Sequence, residues 1–190
     1  MAPSANRSGH VSATTAAHVA ADIGDDVAVI LDAGPSAIGV ESTIVGFADV
    51  GFAGARPTLL RAGGIPRLEI ERVLGAELAA ASVGAGAPVV APGMLASHYA
   101  PAARVRLGAT SVEPGEAYLA FGPTLPAGAA HSVAGINLSP SGDLVEAAAR
   151  LFSALRELDA KTTVIAVAVI PETGLGEAIN DRLRRAAAPR

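Results

Sequence analysis

The sequence predicts an α/β chain made of two blocks, a mixed α+β block followed by a small three-layer α/β domain. Three observations predict it. Hydrophobic residues make up 51% of the 190 residues and charged ones only 17%, which excludes a disordered tail and calls for a packed core. From residue 102 onward, short β-branched runs alternate with segments of helical apolar spacing. Between the blocks, the stretch from Ser82 to Pro101 loses periodicity and gathers Gly84, Gly86, Pro88, Pro92, Gly93 and Pro101, the composition of a linker. The expected division is residues 1–81, a linker at 82–101 and a second domain at 102–190.

In the first block, residues 12–23 read as a helix with Ser12 as N-cap and Gly24 as its stop. Val27 to Leu31 reads as a strand, ended by the turn Asp32-Ala33-Gly34-Pro35-Ser36. Gly39 to Phe47 and Pro57 to Leu60 read as further strands, joined by a loop through Gly51 and Gly54. A short helix from Pro66 to Leu74 has proline at its start and Gly75 at its end.

In the second block, Val105 to Leu107, Ala117 to Phe121 and Ser132 to Ile136 are expected strands. Asp143 to Asp159 is an expected helix, because Leu144, Ala148, Leu151, Leu155 and Leu158 recur at helical spacing while Glu146 and Arg150 pair on the other side. Thr163 to Ile170 contains an apolar run that does not alternate, which suits a strand buried on both faces of a parallel sheet. Gly174 to Ala187 closes the chain as a helix. The stretch Met94-Leu95-Ala96-Ser97-His98-Tyr99 is too bulky for a passive linker and is expected to dock on another surface.

Composition removes several classes of function. No cysteine is present, so disulfides, thiolate zinc sites and a cysteine nucleophile are all excluded, and a cytoplasmic location is expected. A net charge of −4 leaves no broad basic footprint, so strong direct nucleic-acid binding is not expected. The longest apolar run, Val164 to Ile170, falls far short of the roughly 20 residues of a membrane helix, and no membrane association is expected. Aromatic residues are only 3% of the chain, so the core must be packed from Ala, Val, Leu and Ile.

Five short segments could carry chemistry. Ser4-Ala5-Asn6 is a turn former whose polar groups can hold a phosphate or carboxylate when flanking structure fixes them; as a plain turn it needs no ligand. Glu41-Ser42-Thr43 interrupts an apolar strand, so these residues face a ligand, find partners, or lie on an edge facing water. Arg61 precedes Gly63-Gly64, where bare backbone leaves room for phosphate oxygens; a surface arginine at a strand end is the plainer alternative. His98-Tyr99 could ligate or pack, but the histidines at 10, 18, 98 and 131 show no paired spacing, so metal ligation is rejected. Gly174-Leu175-Gly176 lacks the third glycine of a dinucleotide fingerprint and reads as a turn that opens a helix.

Taken together, the segments are more specific. Pro3-Ser4-Ala5-Asn6-Arg7-Ser8-Gly9 with Val11-Ser12-Ala13-Thr14, then Gly39-Val40-Glu41-Ser42-Thr43-Ile44-Val45, Leu60-Arg61-Ala62-Gly63, Pro92-Gly93-Met94 and Ser97-His98-Tyr99-Ala100-Pro101 closely resemble the YrdC-like family of L-threonylcarbamoyladenylate synthases. Gly174 to Leu183 resembles the end of the additional domain in its longer, two-domain members. The resemblance implies the later part of a YrdC-like α+β catalytic domain, a linker, and a small Rossmann-like three-layer domain.

It also implies a nucleotidyltransferase that converts L-threonine, bicarbonate and ATP to threonylcarbamoyl-AMP and pyrophosphate, feeding the tRNA threonylcarbamoyl-transferase machinery. By the same resemblance, Ser4 and Ser42 contact L-threonine, while Asn6, Ser12 and Arg61 hold ATP, with Thr14 a weaker candidate beside Ser12. Tyr99 would close over the nucleotide, and Mg²⁺ would bridge the phosphates. The family's Lys-x-Arg signature is not among these 190 residues, whose one lysine, Lys161, falls in the second domain. The chain is therefore expected to represent a truncated form of the enzyme, the alternative being a non-catalytic nucleotide-binding or regulatory remnant.

Overall fold

The computed structural model describes residues 4–47, 57–80 and 98–189. The expected loop through Gly51 and Gly54, most of the expected linker, and the Pro92-Gly93-Met94 motif lie outside the described residues.

The second block forms a parallel sheet of β4 (Arg104–Arg106), β5 (Ala117–Ala120), β6 (Ala134–Asn137) and β7 (Val164–Val167), in the order β4-β7-β5-β6. Strand β7 lies between two neighbours, which accounts for its unbroken apolar sequence: Ile165, Ala166 and Val167 are all buried. The strand stops at Val167 rather than Ile170, because β4 and β5 end alongside it and Val169 already faces solvent.

Helix α3 (Leu144–Asp159) begins at Asp143, whose carboxylate accepts from the Val145 and Glu146 amides at 2.7 and 3.3 Å. Its Leu151, Leu155 and Leu158 pack with Ile179 and Leu183 of α4 (Gly176–Ala187) on the sheet face formed by Val105, Leu119, Ile165 and Val167. Glu146 and Arg150 pair at 3.2 Å on the exposed side. The expected three-layer arrangement is corrected here. Both helices lie on one face, and the opposite face, at Ala166 and Tyr118, is covered by Ala109 and Val112 of the β4–β5 connection. That connection is a loop and the β5–β6 connection holds only a 3-10 turn at Ala129–His131, so among the described residues no α-helix lies on that face.

In the first block, β1 (Ile44–Phe47) runs antiparallel to β2 (Pro57–Arg61), which runs parallel to β3 (Ala79–Ala80). Helix α2 (Arg67–Leu74) follows Pro66 and ends at Gly75, whose left-handed φ of 64° suits glycine. Helix α1 spans Ala16–Ile23, and its cap is Thr15, which accepts from the His18 amide at 3.2 Å. Ser12 does not cap it; its hydroxyl donates instead to Glu41 at 2.6 Å. Gly24 is the C-cap at which α1 ends, as expected, but with a helical φ of −56° rather than a left-handed one, and a 3-10 turn continues through Asp26.

Two strand expectations are also corrected. Val27 to Leu31 is not a strand: no neighbour among the described residues pairs with it. Only Ile44–Phe47 of the Gly39 to Phe47 segment is a strand, because residues 41–43 bond outward to other segments.

The first block is fastened to the outer sides of α3 and α4. The Arg156 guanidinium of α3 donates to the Val11 and Ser12 carbonyls and pairs with both oxygens of Asp22. The Thr14 and Ser153 hydroxyls meet at 2.8 Å, and Val11 belongs to the same core as α3. Gly39 is so close to α3 that a Cβ there would lie 2.2 Å from the Ala148 carbonyl oxygen. No helix among the described residues is long and apolar enough to cross a membrane.

Candidate active site

A cavity of about 210 Å³ opens between the N-terminal turn and the segment 36–41, lined by Ser4, Asn6, Ser12, Thr14, Ser36 and Glu41, with Phe152 of α3 as part of its wall. It brings together five residues that the sequence picks out, Ser4, Asn6, Ser12, Thr14 and Glu41. Asn6 stabilises its own turn, donating to the Arg7 carbonyl at 3.0 Å. Thr14 is buried, and its side chain is already engaged by Ser153.

Ser42 and Arg61 stand together just beyond Glu41. The Arg61 guanidinium donates to the Ser42 carbonyl at 2.9 and 3.1 Å and to its hydroxyl at 3.1 Å. The space at Gly63 is occupied by protein: a Cβ there would lie 2.3–2.4 Å from the backbone of residues 41–43. The three polar residues just before β1 therefore all have partners. Glu41 has Ser12 and Arg182, Ser42 has Arg61, and the Thr43 hydroxyl donates to the Ile65 carbonyl at 2.7 Å.

Tyr99 is placed differently from the other candidates. It is 2% exposed, stacks on Phe152 with ring centroids 5.6 Å apart, and holds a left-handed φ of 59°. A bulky residue keeps such a backbone only where its surroundings fix it. The end of the linker docks, as the bulky stretch through Tyr99 is expected to: Tyr99, Ala100 and Pro101 are buried, and the Ala100 amide donates to the Gly9 carbonyl at 3.0 Å. Burial raises the Tyr99 phenol above its usual range, so it stays neutral.

Arg182 is the residue that sequence reasoning missed, and it is the partner that Glu41 finds. Arg182, on α4, is wholly buried; it donates from Nε to Glu41 at 2.8 Å, from Nη1 to Asp181 at 2.5 Å and from Nη2 to the Ala62 carbonyl at 2.9 Å. Its guanidinium also lies 5.0 Å from the Tyr99 ring centroid. Burial works against its charge, but Glu41, Tyr99 and Asp181 outweigh that and raise its pKa. A signal existed: buried Ala178, Ile179, Leu183 and Ala186 form an inward stripe on α4, and Arg182 is the cation within it. Losing one partner of such a buried pair costs about 3–5 kcal/mol.

His98 is held below the ordinary histidine range chiefly by burial, helped by the Arg185, Arg182 and Arg61 cations and opposed by Glu41. Glu41 thus stands between two groups of residues. Ser4, Asn6 and Ser12 lie on the cavity side; Arg61, His98, Tyr99 and Arg182 form the other.

The family profile described as "Threonylcarbamoyl-AMP synthase, C-terminal domain" matches residues 65–188, and one described as "Telomere recombination" matches residues 1–63. The threonylcarbamoyl-AMP synthase of Bacillus subtilis is 36% identical, with 100% of this chain aligned to 57% of that protein. The Pyrococcus abyssi synthase is 37% identical over 97% of this chain and 56% of its own length. In structure, P. abyssi Sua5 complexed with L-threonine superposes with a TM-score of 0.78 at 32% identity, covering 97% of this chain and 56% of that one. A P. abyssi Sua5 variant with an adjacent histidine and tyrosine both changed to alanine gives 0.75 at 30% identity, with the same coverage. The chain belongs to the threonylcarbamoyl-AMP synthase family. It spans a little over half the length of these relatives.

Proposed function

We propose that this chain is the later part of an L-threonylcarbamoyladenylate synthase, joining part of the substrate site to the C-terminal domain. The observation that carries the reading is the single cavity at which Ser4, Asn6 and Ser12 meet Glu41, immediately before Ser42. In the product, the threonine nitrogen carries a carboxyl group joined as a mixed anhydride to AMP. The amine must therefore bond to the bicarbonate carbon as a C–O bond there breaks and water leaves, and an oxygen of the resulting carbamate must displace pyrophosphate at the α-phosphorus.

Such a reaction depends on positioning and on stabilising phosphate charge. Ser4 and Ser42 would hold L-threonine; Asn6, Ser12 and Arg61 would hold ATP. Bicarbonate would enter beside the threonine amine. Tyr99 would act as a lid, and in its buried position it is packed behind Phe152, so lid action requires it to leave that stack. His98-Tyr99 is the adjacent His–Tyr pair of this sequence, and alteration of such a pair in the P. abyssi relative is consistent with a role for it.

Mg²⁺ would arrive on the triphosphate. Among the described residues no group of three or more His, Asp or Glu could cage an ion, and the Glu41 carboxylate is already bonded to Ser12 and Arg182. The product would pass to tRNA threonylcarbamoyl-transferase machinery in the cytoplasm.

The test is pyrophosphate release with L-threonine, bicarbonate, ATP and Mg²⁺, run on this chain and on the chain joined to the catalytic portion that its relatives carry upstream. The short chain is expected to be silent, because Arg61 is the one cation that the resemblance places on the triphosphate and the family's Lys-x-Arg signature is not among these 190 residues. Threonine-dependent release by the joined form supports the synthase reading. Silence from both forms favours the non-catalytic module.

A further inference from the structure

We infer that Arg182 of the C-terminal domain is a positioning and charge-compensating residue of the candidate nucleotide site. The inference rests on the synthase reading of that site and adds a residue to it from the other domain.

Glu41 poses the difficulty that Arg182 resolves. Its carboxylate lines the same cavity as Ser4, Asn6 and Ser12, where an anionic nucleotide is expected to bind. An uncompensated carboxylate there would repel a triphosphate. In the structure both of its oxygens are engaged: Oε1 accepts from the Ser12 hydroxyl at 2.6 Å, and Oε2 accepts from Arg182 Nε at 2.8 Å. The cation is supplied from behind the site, by a side chain with no exposed surface. It therefore neutralises Glu41 without occupying ligand space.

The same guanidinium also sets geometry. Nη2 donates to the Ala62 carbonyl, the residue after Arg61, while Nε holds Glu41, the residue before Ser42. The Gly64 amide donates to the Glu41 carbonyl at 2.9 Å, so the two segments are tied to each other and to α4. The cation is oriented in turn by Asp181 and by the Tyr99 ring. One residue of the C-terminal helix thus touches the segments that carry Ser12's partner, Ser42, Arg61 and Tyr99. A lysine, with a single point charge, could meet Glu41 but not Ala62 at the same time.

The alternative is that Arg182 merely braces one domain against the other, and ligand charge separates the two. Binding of ATP with Mg²⁺ and, separately, of the zwitterion L-threonine would be measured by calorimetry on the wild-type chain, Arg182→Gln, Arg182→Lys, Glu41→Gln and the double variant Arg182→Gln/Glu41→Gln. Melting curves would follow folding. Compensation predicts that Arg182→Gln weakens ATP about tenfold or more while L-threonine changes by less than about threefold. It also predicts partial rescue by lysine and recovery of ATP affinity in the double variant, which no longer carries the bare carboxylate.

If Arg182→Gln does not fold, Glu41→Gln decides, since it leaves the guanidinium in place: ATP affinity equal to or tighter than wild type supports the inference. Equal loss of both ligands in Arg182→Gln without recovery in the double variant, or loss of both in Glu41→Gln, overturns it in favour of a brace. Unchanged ATP binding in Arg182→Gln overturns this inference alone. Failure of the wild-type chain to bind either ligand overturns the site reading and the inference with it.

Discussion

Residues 164–167 and residues 27–31 are both short β-branched, apolar segments, yet they end in opposite environments. In β7, Ile165, Ala166 and Val167 are at most 1% exposed, held between two parallel strands and beneath two helices. In the earlier segment Val27, Val29 and Leu31 are 37%, 74% and 89% exposed, and the backbone pairs with nothing among the described residues. The difference lies in the neighbours. A strand is stabilised by a ladder on each side and packing on its faces, and propensity alone does not supply either. The C-terminal domain contains its own neighbours, whereas the first block uses α3 and α4 as the surface on which it is organised.

The largest expected effect tests the self-sufficient side. Leu119→Ala in β5 empties a fully packed site and should cost about 2–5 kcal/mol. Because the first block rests on α3 and α4, thermal melting should show both regions lost in one transition. An early block that stayed folded while the sheet melted would break the comparison.

A smaller and more selective effect is expected at Gly39. Its φ is +77° and an added Cβ meets the α3 backbone at 2.2 Å, so Gly39→Ala should destabilise docking by about 1–3 kcal/mol. Hydrogen exchange should quicken at residues 9–23 and leave β5 and β7 protected. Loss of protection throughout would show that the two regions share one cooperative unit.

Acidification should act in the same place. Burial holds His18 and His98 below 6.5, and hydrogen bonding to Arg156 holds the Asp22 carboxyl below its ordinary 3.8. In each case the undocked form binds more protons in the affected window. Docking strength from the histidines is present above about pH 6.5 and lost as pH falls below it; that from Asp22 is present above the ordinary carboxylate range and lost as pH falls through it. A pH series of exchange rates should show residues 9–23 loosening before the sheet does, and a reversed order would contradict the assignment.

The smallest effect is expected at the exposed segment. Leu31→Ser should change stability by no more than about 0.5 kcal/mol and should reduce self-association, read by light scattering. A large loss of stability would mean that Leu31 is covered in solution.

Legibility differed between the same two regions. The helix over Leu144–Asp159 was readable because its cap, stripe and i,i+4 pair are local features of the chain. Ser12 as a helix cap was misread because its hydroxyl is taken by a carboxylate 29 residues away, which no window over residues 12–23 contains. Within the candidate site, Ser4, Asn6 and Ser12 line one cavity, while the packing of Tyr99 between Phe152 and Arg182 was not legible in the sequence.

By itself the sequence determined the order of strands and helices after residue 102, the turn at Gly174-Leu175-Gly176 that opens α4, and the family to which the motifs belong. These depend on periodicity, capping and residue type, which act over a few positions. Only the tertiary structure decided that loops cover the second sheet face, that residues 27–31 lack a ladder, and that Arg182 meets Glu41 across 141 positions. Each of those outcomes depends on which surfaces exclude water together, and an inward charge on α4 is tolerated only because the fold brings a carboxylate to it.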